Sequence, residues 1–111
     1  MAKNECRLTG SFTEVLAAID DAVRESVTGT LEDGSDFVLG NIRCAVRVYE
    51  RYSMVGSNRV SMNIALVGTD GDLRLSAITS GGSQAMLFKV NTFGERAFLD
   101  SLNGVIARFG A

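Results

Sequence analysis

The chain has 111 residues, 46% of them hydrophobic and 22% charged, which is the size and balance of one globular domain covering residues 1–111. Its formal charge of -2 argues against a nucleic-acid partner held through its phosphates, and no apolar run approaches the roughly 20 residues that cross a bilayer, so no membrane partner is expected. The absence of His removes the commonest general base and metal ligand, and the sequence therefore favours a protein without cofactor, metal or catalytic residues.

The N-terminal third predicts a strand, a helix and a second strand. Residues 5–9 alternate between apolar and polar side chains, as in a short strand. The Ser-Phe-Thr-Glu segment at 11–14 matches the capping box that opens a helix, and apolar residues follow at helical spacing. Alternation resumes at 27–31, and we expect the Asp-Gly-Ser-Asp segment at 33–36 to break that strand.

Two clearer strands flank a Gly-Ser-Asn segment at 56–58, which predicts a hairpin. A loop of three residues would pair Arg51 with Asn63. Val48 would then lie opposite Leu66, so the apolar residues of both strands would share one face of the sheet.

The Asp-Gly pair at 70–71 suits a type I′ turn and predicts a further hairpin, in which Leu66 pairs with Leu75. Residues 84–91 are apolar on both sides and are interpreted as a sixth strand, with a short buried helix as the alternative. A second capping box opens a C-terminal helix predicted over 93–109, with Glu95 on its exposed side.

The predicted order is therefore β-α-β-β-β-β-β-α. It describes an α+β two-layer sandwich in which an antiparallel sheet of five to six strands carries two helices on one face. The opposite face must meet water or a partner. By parity, it is predicted to contain Arg43, Arg47, Tyr49, Arg51, Ser61, Asn63, Ala65, Val67, Arg74, Ser76 and Ile78.

A row of arginines is the first candidate binding site. Arg43, Arg47 and Arg51 fall on one face at every fourth residue, roughly 13 Å apart along the strand. Tyr49 lies within this row, and Arg59 extends it on the next strand. Forked guanidinium groups suit a phosphate, a carboxylate or an acidic partner. The alternative is a solvated face on which the arginine stems lie flat over their neighbours.

A second candidate is a nest of backbone amides for an anion, formed by Ser80, Gly81, Gly82 and Ser83. This segment lacks the length and the Lys-Ser/Thr ending of a P-loop. A simple connection after a strand explains its glycines at least as well.

Glu50 falls by parity on the apolar face, where a buried carboxylate would need a donor. The alternative is an outward twist of the strand that brings Glu50 to Arg59 or to solvent. Cys6 and Cys44 fall on apolar positions, so we expect buried thiols in a reducing, cytoplasmic compartment.

Three segments have distinctive sequences: Val-Arg-Val-Tyr-Glu-Arg-Tyr-Ser at 46–53, Ile-Thr-Ser-Gly-Gly-Ser-Gln-Ala at 78–85 and Phe-Gly-Glu at 93–95. They resemble a family of small bacterial proteins known only as a domain of unknown function. The resemblance would extend over most of the chain. It implies no activity, cofactor or catalytic residue.

Two functions are consistent with these observations. The first is a non-catalytic interaction module that self-associates through the outer sheet face or a sheet edge, because apolar residues mixed with Arg and Tyr are typical of interfaces. The second is a small-molecule protein that holds an apolar or anionic ligand between the sheet and the C-terminal helix. The element order is similar to that of helix-grip proteins, and Met62 and Phe98 are candidate lining residues.

Overall fold

The structure, a computed structural model, describes residues 1–25, 29–52, 59–81 and 95–111. The α+β fold is confirmed, and the elements follow the predicted order; the predicted sixth strand at 84–91 lies outside the described residues. The strands are β1 (Ala2–Leu8), β2 (Thr30–Leu39), β3 (Ile42–Tyr52), β4 (Arg59–Thr69) and β5 (Asp72–Gly81); the helices are α1 (Phe12–Glu25) and α2 (Asn103–Phe109), with further helical residues at 95–100.

The five strands form one antiparallel sheet in the order β1-β5-β4-β3-β2, so β4 is central. Buried and partly exposed residues alternate along β4 and β5, because successive side chains point to opposite faces. We call the helix-covered side of the sheet the inner face and the opposite side the outer face. The inner face and the helices share a core that includes Leu8, Phe12, Val15, Ile19, Tyr49, Met62, Ile64, Leu66, Leu75, Phe98 and Leu102.

The predicted β4–β5 hairpin is confirmed. Leu66 pairs with Leu75, and Gly71 in the turn has a φ of +87°, which a type I′ turn requires. The turn also contacts the start of α1: an Asp70 carboxylate oxygen accepts a 2.8 Å hydrogen bond from the backbone N–H of Phe12. The sequence does not reveal this second role of Asp70, because Asp70 and Phe12 are 58 positions apart.

The predicted N-terminus of α1 is also confirmed. The Ser11 hydroxyl accepts a 3.1 Å hydrogen bond from the Glu14 N–H, three residues later. With Asp70 serving Phe12, two of the amides that lack a partner within the helix are satisfied by side chains. The first turn of α1 is therefore fixed both locally and by the sheet.

The predicted pairing of β3 with β4 is wrong by three residues. Arg51 lies opposite Val60 rather than Asn63. An odd shift of register turns every side chain of a strand to the other face. The turn at 56–58, on which the prediction rested, lies outside the described residues.

As a result, the two faces of β3 are exchanged relative to the prediction. Ala45 and Tyr49 are fully buried on the inner face, whereas Val46 and Val48 lie half-buried on the outer face. Hydrophobicity alone misled the prediction, because a Tyr ring and the long stems of Arg bury as much apolar surface as a Val side chain.

β2 is longer than predicted. The segment 33–36 lies within the strand, and a register shift between Leu31 and Asp33 accommodates one extra residue as a bulge. β2 then continues to a tight turn at 40–41, across which Leu39 pairs with Ile42. The polar segment failed to break the strand because pairing with β3 satisfies its backbone.

The C-terminal helix is interrupted, which the sequence did not predict. Residues 101–102 form a turn between the helical residues 95–100 and α2. At this point the Ser101 hydroxyl donates to the Phe98 carbonyl at 2.7 Å, and the Leu102 N–H donates to the Leu99 carbonyl at 3.1 Å. These three-residue spacings tighten the chain locally.

Candidate interaction surface

The predicted arginine row lies on the inner face, among the helices. The Arg43 guanidinium lies 4.2 Å from the centre of the Phe12 ring, and that of Arg51 lies 4.9 Å from the centre of the Phe98 ring. These are cation–π contacts to core aromatic residues. Burial lowers the pKa of Arg51, which agrees with its position against the core. Both side chains are therefore engaged in holding helices onto the sheet.

Arg47 crosses from β3 to β2. Its guanidinium forms an ion pair with Asp36 at 3.1 Å and donates to the Val46 carbonyl at 2.9 Å. Its stem lies over Gly34, where an added Cβ would come within 2.8 Å of the Arg47 Cδ. Gly34 thus leaves room for Arg47 instead of ending the strand.

Tyr49 connects β3 to α1. Its hydroxyl donates a 2.9 Å hydrogen bond to one Asp20 oxygen, and the other Asp20 oxygen accepts from Arg24 at 2.8 Å. Burial, together with the hydrogen bond to Asp20, raises the pKa of the Tyr49 phenol. This predicted binding residue is 0% exposed and therefore presents no surface to a ligand.

Arg59 forms an ion pair with Glu50 on the neighbouring strand and lies 4.0 Å from Glu32. The predicted contact between Glu50 and Arg59 is therefore confirmed, although its cause is the changed register of β3 rather than a twist at its end. Both side chains are partly exposed, so this pair lies at the edge of the outer face.

The predicted anion nest is partly used by the protein itself. The Gly81 N–H donates to the Glu95 carboxylate at 3.2 Å, and the Ser80 hydroxyl lies 3.0 Å from that of Ser61. The rest of the nest, Gly82 and Ser83, lies outside the described residues. Glu95, predicted to be exposed, is 5% exposed because its carboxylate meets this amide and the N-terminal ammonium of the chain.

The two cysteines lie on opposite faces, and the prediction that both are buried is wrong. Cys6 is partly buried against the core, and this burial raises the pKa of its thiol. Cys44 is partly exposed on the outer face, opposite Val67. Within the described residues, no group of three or more Cys, Asp or Glu side chains is arranged to hold a metal ion. That part of the chain also contains no helix of the length and apolarity needed to span a bilayer.

The outer face has an apolar centre. The residues of this centre alternate along the strands with the buried residues of the inner face, and no described element covers them. We call this cluster the outer patch; it consists of Phe37, Cys44, Val46, Val48, Ala65, Val67 and Ile78. Branched aliphatic side chains at the middle of an open sheet are typical of an interface centre.

The two flanks of the outer patch differ in charge. On the β1 side, the basic residues Lys3, Arg7 and Arg74 outnumber the acidic residues Glu5 and Asp72, with which they form ion pairs. Arg7, Arg74 and Glu5 border a surface concavity of about 370 Å³. On the β2 side, the exposed Asp33 lies on the outer face, opposite Val48. The outer face thus has a basic flank and an acidic flank.

The β2–β3 hairpin projects apolar side chains into solvent. Phe37 is 57% exposed and Leu39 is 82% exposed, and Val38 and Ile42 next to them are exposed as well. Phe37 pairs with Cys44 and therefore continues the outer patch. Exposed large apolar residues grouped at one place mark an interaction site more often than scattered ones do.

One family model matches the chain over residues 1–110, and its description is "Family of unknown function (DUF6054)". The chain belongs to this family. The DUF6054 match confirms the resemblance to a domain of unknown function seen in the sequence. The comparisons with curated proteins and with solved structures found no match.

The sequence predicts the β4 and β5 members of the outer patch, Ala65, Val67 and Ile78. Its β3 members were missed because β3 was assigned to the wrong face. A signal for them was present at 40–41, where Gly-Asn is one of the two-residue sequences that favour hairpin turns. A turn at these positions pairs Leu39 with Ile42 and Phe37 with Cys44. That pairing would have identified a long β2 with an apolar outer side.

Proposed function

We propose that this protein is a non-catalytic interaction module that self-associates through the outer face of its sheet. The observation that carries the proposal is the outer patch: an apolar centre on the side of the sheet that none of the described elements covers, surrounded by charged residues. A sheet with only one covered face lowers its free energy by packing the other face against a second layer.

The size of the outer face is sufficient for a dimer. The five strands have 7 to 11 residues each, and at about 4.8 Å between strands and about 3.3 Å per residue the outer face measures about 780 Å² on each copy. Two such faces bury about 1,600 Å², which is the size of standard specific interfaces. We therefore expect a reversible dimer whose population depends on protein concentration.

The test is sedimentation equilibrium over a concentration series, with Val46→Lys at the centre of the outer patch. We expect the wild type to form dimers and Val46→Lys to remain monomeric, because a buried ammonium without a counter-charge opposes association. The matched control is Ala17→Lys, which adds the same charge at an exposed position of α1. A monomeric wild type, or a Val46→Lys variant that dimerises like wild type, would overturn the proposal.

The ligand-binding alternative has less support. In the described residues, the layer between the sheet and the C-terminal helix is occupied by side chains such as Met62, Phe98 and Leu102, each 0% exposed. A cytoplasmic location stays a prediction, supported by the two free thiols.

A further inference from the structure

We propose that the second copy docks with the two-fold axis parallel to β4, so that the basic flank of each copy faces the acidic flank of the other. This inference rests on the proposed self-association and adds its geometry. A two-fold along the central strand lays β4 over β4 and places β1 of one copy over β2 of the other. The two sheets would then pack in the aligned rather than the orthogonal manner.

The registers determine which residues then meet. Lys3, Ile78, Asn63, Val48 and Asp33 form one continuous row across the outer face. After rotation about β4, Lys3 faces Asp33 of the second copy, and Ile78 faces Val48. Both contacts occur twice in the dimer, because the interface is isologous.

The row that contains Val67 supplies a complementary shape. It places the 57%-exposed Phe37 at the β2 end and Arg7 at the β1 end, beside the concavity of about 370 Å³. Rotation about β4 brings Phe37 of the second copy over this concavity, which is lined in part by Arg7, Arg74 and Val67. The ring would fill the depression and meet the guanidinium groups through their preferred cation–π contact.

The other symmetric arrangement lacks this match. A two-fold across the strands lays β1 over β1, and the net positive flank of each copy would lie on itself. It would also bring the two concavities toward each other and leave Phe37 away from both. Charge and shape therefore favour the axis along β4.

The test is charge reversal with rescue by mixing. Lys3→Glu places an acid against Asp33 of the second copy at both symmetric positions, and Asp33→Lys places two bases together. We expect each variant to weaken dimerisation about tenfold or more, since two attractive pairs become repulsive. In an equimolar mixture the reversed charges face each other, so a heterodimer with affinity close to wild type should form, measured by native mass spectrometry with one variant isotope-labelled.

Asp21→Lys, an exposed acid on α1, is the matched control for the mixing experiment. It should dimerise like wild type, and its heterodimer with Lys3→Glu should have only intermediate affinity, because one attractive pair and one repulsive pair remain. A dimer that Val46→Lys abolishes, but that neither reversal weakens or that mixing fails to rescue, would overturn this geometry and leave the proposed function standing. A monomeric wild type would overturn both.

Discussion

The two faces of one sheet differ in what their side chains do. On the inner face, arginines and a tyrosine contact aromatic rings and carboxylates of α1, β2 and the C-terminal helical residues. These polar side chains therefore stabilise the fold and are not available to a partner. On the outer face, aliphatic side chains such as Val46 and Val48 lie half-buried under no described element. On β3, therefore, Arg and Tyr side chains face the helices and Val side chains face the candidate interface, the reverse of the usual expectation.

The largest effect that distinguishes the faces is expected at two adjacent residues of β4. Leu66→Ala removes a fully buried inner side chain and should lower the free energy of unfolding by about 2–5 kcal/mol, because a cavity remains in the core. Val67→Ala on the outer face should lower it by less than about 1 kcal/mol in the monomer. Urea denaturation at dilute protein concentration measures both.

The same pair of variants should give the opposite order in association. Val67→Ala should weaken dimerisation, since Val67 lies in the outer patch and lines the concavity, whereas folded Leu66→Ala should dimerise as wild type does. Equal losses of stability in the two variants would mean that both faces are equally covered, which contradicts the proposed surface.

Structural features that depend on residues close together in the sequence were predicted correctly, and those that depend on distant residues were not. The capping Ser11 and the turn at 70–71 act within a few residues, and both are confirmed. The pairing of β3 with β4 depends on a longer connection, and an error of three residues exchanged the faces. Tyr49 and Arg47 could not be assigned to the interior from the sequence, because their partners Asp20 and Asp36 lie on other elements.

A smaller effect is expected from the polar contact between the inner face and α1. Tyr49→Phe removes the hydroxyl that donates to Asp20 and should lower the free energy of unfolding by about 1–2 kcal/mol near pH 8. The pKa of Tyr49 is raised in the folded state, so its contribution is complete below the unfolded pKa of about 10 and is lost as pH rises above it. The stability difference between wild type and Tyr49→Phe should therefore shrink between pH 9 and 11 in chemical denaturation; a difference that grows would contradict the burial of Tyr49.

The smallest effect is expected at the hydrogen bond that joins the turn between β4 and β5 to the start of α1. Asp70→Ala removes the acceptor for the Phe12 N–H and should cost about 1 kcal/mol of stability, as the loss of a helix cap does. Asp70→Asn keeps an oxygen acceptor and the turn preference, so it should recover much of that loss in the same thermal or urea denaturation. Because Asp70 lies outside the outer patch, neither variant should change the dimerisation constant when folded. If fully folded Asp70→Ala associated more weakly than wild type, the helical layer would take part in the interface. That result would contradict a dimer formed by the outer face alone.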